Sequence, residues 1–170
     1  LTPSVDNVKI LTADTKDLVN GIVDGDSDAD TSNATFSVGD IIDGNGNTDL
    51  RLIALERGDA AFATVKDISN INLGAADNVS IYFNAGDWSN IGAINMTGGA
   101  DGLYATFTGL HDGVDLSVAA GVSGSMSVDY TGGNEAYIWA EHDSMVSFID
   151  TNVSASVATR SRSRRWRPDA

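Results

Sequence analysis

Four aspartates stand at alternate positions in the stretch DGDSDAD: Asp24, Asp26, Asp28 and Asp30. Alternation along an extended loop aims all four carboxylates the same way, and a hard cation that takes about six to eight oxygen ligands suits such a cluster. Calcium is the expected ion. The stretch is not an EF-hand loop, because counting from Asp24 puts Ala29 where the turn glycine belongs and Thr35 where the bidentate glutamate belongs. The competing reading is a solvated acidic turn.

A second oxygen-rich stretch follows in DIIDGNGNTDLRLI, where Asp40, Asp43, Asn45, Asn47 and Asp49 surround two glycines. It has the look of a degenerate single copy of the nonapeptide repeat in which paired glycine-rich turns cage calcium between stacked coils. Asn45 stands where a second consecutive glycine belongs, and the repeat is not in tandem. A plain turn is the competing reading here too.

Catalytic chemistry finds little to work with. His111 and His142 are each followed directly by aspartate, but neighbours on a strand face opposite ways and build no triad, and there is no Gly-x-Ser-x-Gly elbow. Glu135, Glu141 and Asp143 are the only candidates for a glycosidase-like carboxylate pair, a pairing that arises by chance in so acidic a chain. No enzyme is expected. The aromatics Tyr82, Trp88, Tyr104, Tyr130, Tyr137 and Trp139 either pack between strands or form a sugar-stacking face, and Trp88, in the polar context AGDWSN, is expected to be the exposed one.

The elements that must position these residues are strands. The chain has 170 residues, 18 glycines, 2 prolines and abundant Ser, Thr, Asn and Asp, a composition of short segments joined by tight turns. No apolar run approaches the length of a membrane-spanning helix, so no membrane insertion is expected. There is no cysteine, which removes disulfides and thiolate metal sites. Residues 1–159 carry 5 Lys/Arg against 23 Asp/Glu, a formal −18, which repels phosphate backbones and excludes nucleic acid as a partner. Residues 160–170, RSRSRRWRPDA, reverse that sign and read as a basic tail, either a native arm or sequence foreign to the native chain, beyond a single domain over 1–159. The start, LTPSVDNVKI, has neither Met nor a signal peptide, which reads as a piece of something longer.

Residues 1–23 predict one or two strands, and 36–55 predict strand, turn, strand. Residues 56–66 are the one place where a helix is expected, with a short strand AFATV as the alternative. From residue 70 onward, β-prone segments recur with midpoints at Ile71, Ile81, Ile94, Thr106, Leu116, Ser127, Ile138 and Ser147, spaced 10, 13, 12, 10, 11, 11 and 9 residues apart. Short segments with turns of small residues predict an all-β, irregular, parallel β-helix-like solenoid, with a β-sandwich as the alternative.

The run TFSVGDIIDGNGNTDLRLIAL followed by FATVKDISNINL resembles a unit of large bacterial surface-layer proteins and type I-secreted adhesins, in which TLxxGDxLDGGxGTDTLxL precedes xxxNVExxNV. The opening is similar to their recurring FTLTxGxDNxxGTxxNDTFNG, with Leu1, Thr2, Asp6 and Asn7 matching. The resemblance covers residues 1–75. It implies a β-solenoid-rich, calcium-dependent structural protein, extracellular at the cell surface. Open strand edges at the two ends of a solenoid predict self-association, and the aromatics make a cell-surface glycan a further candidate partner. A carbohydrate-binding module is the alternative function, and a polysaccharide-processing enzyme stands behind it.

Overall fold

In a computed structural model the described residues are 1–2, 4–11, 16–23, 34–55, 58–60, 63–75, 78–98, 102–111, 113–119, 122–131, 135–140, 146–148 and 157–160, with backbone alone for 58–60 and from 135 onward. The chain is all-β, with no helix among these residues. It is a β-solenoid of about three turns, as the short segments and small-residue turns predict.

Each turn of the coil places one strand in each of two sheets. The first sheet takes β3 (Ile41–Ala54), β5 (Thr64–Ala75), β7 (Trp88–Gly98) and β9 (Asp115–Val118), all parallel. The second takes β4 (Gly58–Ala60), β6 (Val79–Asn84), β8 (Leu103–Leu110) and β10 (Gly124–Tyr130), again parallel. Register makes the repeat visible: Leu50, Ile71, Ile94 and Leu116 are successive partners in one sheet, and Ile81, Ala105 and Met126 in the other. The helix considered for 56–66 is not formed. Two strands occupy its described residues, because a helix there would leave the second sheet without its first rung.

Alternation does the rest. In β6, Val79, Ile81 and Phe83 are buried while Ser80, Tyr82 and Asn84 face outward, the period-two pattern of a strand with one face on a core. Stacked coils then align like with like. Phe83 and Phe107 lie one above the other with ring centroids 4.8 Å apart and planes 7° from parallel, the spacing of adjacent strands. Phe36 and Trp88 meet Phe83 edge-on or tilted, at 6.5 and 5.6 Å.

The long strands of the first sheet are bent at one column. Asp67 and Asn90 both adopt the left-handed conformation, with φ of 55° and 54°, and the Asn90 side-chain amide donates to the Asp67 carboxylate at 2.8 Å. Asp and Asn are the non-glycine residues that tolerate this region. The same column in β3 holds Gly44, followed by extra residues before pairing with β5 resumes at Thr48.

The two ends differ. At the start, β1 (Asn7–Lys9) and β2 (Asp17–Val23) both lie parallel on β3, and the outer edge of β2 is covered by the Leu1 amine donating to the Asn20 carbonyl and by the amides of Thr35 and Phe36 donating to the Ile22 carbonyl. At the other end the direction reverses: β11 (Glu135–Ala140) runs antiparallel to β10, and β12 (Val146–Phe148) antiparallel to β9, before β13 (Val157–Arg160) pairs parallel with β11.

Candidate functional site

The five oxygen-bearing residues of the 40–49 column are each placed by a specific partner. Asp40 is fully buried just before β3, and its two carboxylate oxygens accept the amides of Asp6 at 2.8 Å and Ser37 at 2.7 Å. The carboxylate therefore ties the first coil to the loop that precedes β3. Asp6 in turn accepts from the amide and hydroxyl of Thr2, and these bonds hold its carboxyl below the ordinary carboxylate range.

Asp43 lies between Lys9 and Lys66, at 4.0 and 3.0 Å, and Asp49 pairs with Lys16 at 2.8 Å while accepting the Asn70 amide at 2.8 Å. Thus three of the five cationic residues in the first 159 are used on two aspartates of this one column. The positions of those lysines along the chain do not by themselves point to the site. The signal available was register, since a residue about 23 positions on from Asp43 stands beside it in the next coil.

Asn45 closes the bulge on itself: its side-chain oxygen accepts the Asn47 amide at 2.8 Å and the Thr48 hydroxyl at 3.1 Å, while Ser69 of the next coil donates to the Gly46 carbonyl at 2.5 Å. Asn47 and Asp49 thus flank a locally bonded corner. Among the described residues no group of three or more His, Asp or Glu side chains is arranged to hold a metal ion. The column's oxygens serve as joints between coils. Asp24, Asp26, Asp28 and Asp30 lie outside the described residues.

The aromatic expectations divide. Trp88 is fully buried, against the expectation that it is exposed, and its indole N–H donates to the Ala63 carbonyl at 3.1 Å. It stands in the inward column Ile42, Val65, Trp88, and membership of that column overrides the polar residues beside it in sequence. Tyr130 is also buried. Tyr82 and Tyr104 remain 49% and 41% exposed, on adjacent strands of the outer face of the second sheet. Tyr137 and Trp139 pair in register with Ser127 and Ser125.

His111 is exposed at the rim of a groove of about 460 Å³ that runs beside Ser89, Asn90, Leu110 and Val114. The groove forms because the chain reaches Asp115 from β8 in two residues fewer than it reaches Ala93 from β6, leaving the 88–91 arm uncovered. Among the described residues that line it, Ser89 carries a hydroxyl and none carries a carboxylate. Of the glycosidase-like candidates, Glu135 is described by its backbone alone, and Glu141, Asp143 and His142 lie outside the described residues.

Compared with protein families, curated proteins and solved structures, the chain matches none.

Proposed function

We propose that this chain is a structural and assembly module of a secreted bacterial cell-surface protein, of the surface-layer or adhesin type, stabilised by calcium. The observation that carries this reading is what the polar side chains do: they join coil to coil. Asp49 to Asn70, Asp67 to Asn90, and Asn72 through Asn95 to Ser117 are ladders of side-chain hydrogen bonds running along the solenoid axis. A fold whose surface polarity is used to stiffen its own stack is suited to bearing load. The absence of cysteine, the acidic body and the surface-layer-like motifs of residues 1–75 agree with that setting.

Calcium belongs, in this proposal, to the 24–30 loop. The carboxylates of Asp40, Asp43 and Asp49 have amide or lysine partners, so a cation there would share them, whereas four alternating aspartates repel one another unless an ion lies among them. Binding to the folded state alone adds about 2.7 kcal/mol at a hundredfold excess over the dissociation constant, which for a domain of this size is roughly 5–10 °C in melting temperature.

Melting in calcium, in excess EDTA, and in EDTA with sodium chloride of equal ionic strength tests this directly. Calcium should raise the midpoint by that amount and sodium should not replace it. The variant with Asp24, Asp26, Asp28 and Asp30 all changed to Asn should melt at one temperature in every buffer. A wild-type curve unmoved by EDTA overturns the calcium assignment.

A further inference from the structure

We propose that the outer face of the second sheet is a platform for a neutral polysaccharide, with Tyr82 and Tyr104 as the stacking rings. The proposal adds a binding surface to the module and does not depend on calcium.

The face is built by the solenoid itself. On three successive parallel strands the outward residues are Ser80, Tyr82 and Asn84, then Tyr104, Thr106 and Thr108, then Ser125, Ser127 and Asp129. Tyr104 is the register partner of Ser80, and Tyr82 of Thr106, so the two tyrosines sit on a diagonal with Cα atoms about 8 Å apart, from the strand spacing and the rise per residue. The Tyr104 ring lies against Gly102, where an added Cβ would meet its Cε2 at 3.0 Å, so the glycine lets the ring rest on the sheet.

Charge selects the occupant. The chain carries a formal −14, yet eight of these nine outward positions are uncharged; Asp129 stands at one margin, and at the other the edge strand β4 brings Asp59 into register with Tyr82. A cationic partner finds no counter-charge at the centre of this face, and an anionic one is repelled by the body around it. What remains complementary is a neutral ligand with apolar ring faces and hydroxyl edges. A saccharide chain has both: its C–H faces stack on exposed tyrosines, and its hydroxyls reach the free hydroxyls of Ser80, Thr106, Ser125 and Ser127, which bond to no other described residue. Flatness favours a polymer over a small sugar, which needs a concave site. Among the described side chains, the other large apolar ones that are strongly exposed, Val5, Leu11, Leu18, Val38 and Ile41, all belong to the first coil, so on β6, β8 and β10 the two tyrosines stand apart from them.

The test is co-sedimentation of the whole chain with insoluble cellulose, chitin and yeast β-glucan, with cross-linked carboxymethyl-cellulose beads as the anionic control, in buffer containing EDTA and again with calcium. Retention in EDTA is expected on at least one neutral polymer and not on the anionic beads. Tyr82→Ala and Tyr104→Ala should each weaken it about tenfold, the loss of about 1.4 kcal/mol of stacking, while both keep the wild-type melting temperature because they are surface positions. Thr106→Arg, which keeps both tyrosines but sets a bulky cation between the rings, should abolish retention in a folded protein. No retention on any neutral polymer overturns the proposal, as does unchanged retention in the double tyrosine variant. Light scattering closes the remaining route: a wild-type dimer that dissociates in Tyr82→Ala would make the face a self-association surface and would equally overturn it.

Discussion

Asp40 shows how a residue chosen for one chemistry performs another. Its sequence setting, VGDIIDG, places a carboxylate at the mouth of an oxygen-rich loop, and read alone that is a ligand. Folded, it is completely buried with both oxygens accepting main-chain amides, a charge-assisted pair of bonds that fixes the entry into β3. Asp40→Ala leaves two part-buried amides without an acceptor and should cost about 2 kcal/mol, while Asp40→Asn keeps one oxygen and should cost about half as much. Urea unfolding midpoints measure both. The two losses should be the same in calcium and in EDTA, and a chelator-dependent loss in Asp40→Ala would return the 40–49 column to the list of ion sites. Trp88 teaches the complementary lesson: a polar neighbourhood in sequence says little about an inward column set by residues 23 and 46 positions earlier, Val65 and Ile42.

At the scale of elements, the strand segments from residue 70 were readable because β-prone cores alternate with turns of small residues, and the spacing held more than periodicity alone suggested. Midpoints Ile71, Ile94 and Leu116 are literal register partners in one sheet, while Ile81, Thr106 and Ser127 fall on the strands of the other, so two steps of 10–13 residues make one coil. The bend was not readable. Asp67 and Asn90 look like ordinary polar strand residues, and only their stacking reveals that they share a left-handed corner. Nor was the reversal after β10, because direction is decided by a turn and strand propensity carries no sign. The corner yields a sharp contrast between two neighbouring glycines. A Cβ on Gly44 would lie 2.3 Å from the Asp67 carbonyl oxygen, a backbone atom held in register, whereas Gly46, with φ of 77°, has nothing within 4 Å. Gly44→Ala should therefore cost about 3 kcal/mol or more, since the β3–β5 ladder must open, and Gly46→Ala only about 1 kcal/mol of left-handed strain. Thermal melts of the pair separate the two, and equal losses would mean that the corner is not close-packed.

At the scale of the whole molecule, each coil touches only the coil before and the coil after, apart from the caps at the two ends. Stability in such a stack approximates a sum of coil terms and nearest-neighbour interfaces, so damage should stay local. The cap formed by Leu1, Thr35 and Phe36 also closes part of the leading edge, which limits open-ended strand pairing at β2 and directs any self-association to other surfaces. Leu116→Ala puts the locality to a test. The side chain is buried at the fourth level of the column Leu50, Ile71, Ile94, Leu116, and its truncation should cost about 2–4 kcal/mol. Hydrogen exchange read by mass spectrometry should then accelerate most in β9 and β7, less in β5, and least in β3, three levels away. A uniform acceleration through all four strands would show instead that the solenoid opens as one cooperative block, and a load-bearing module would then owe its stiffness to the whole stack at once.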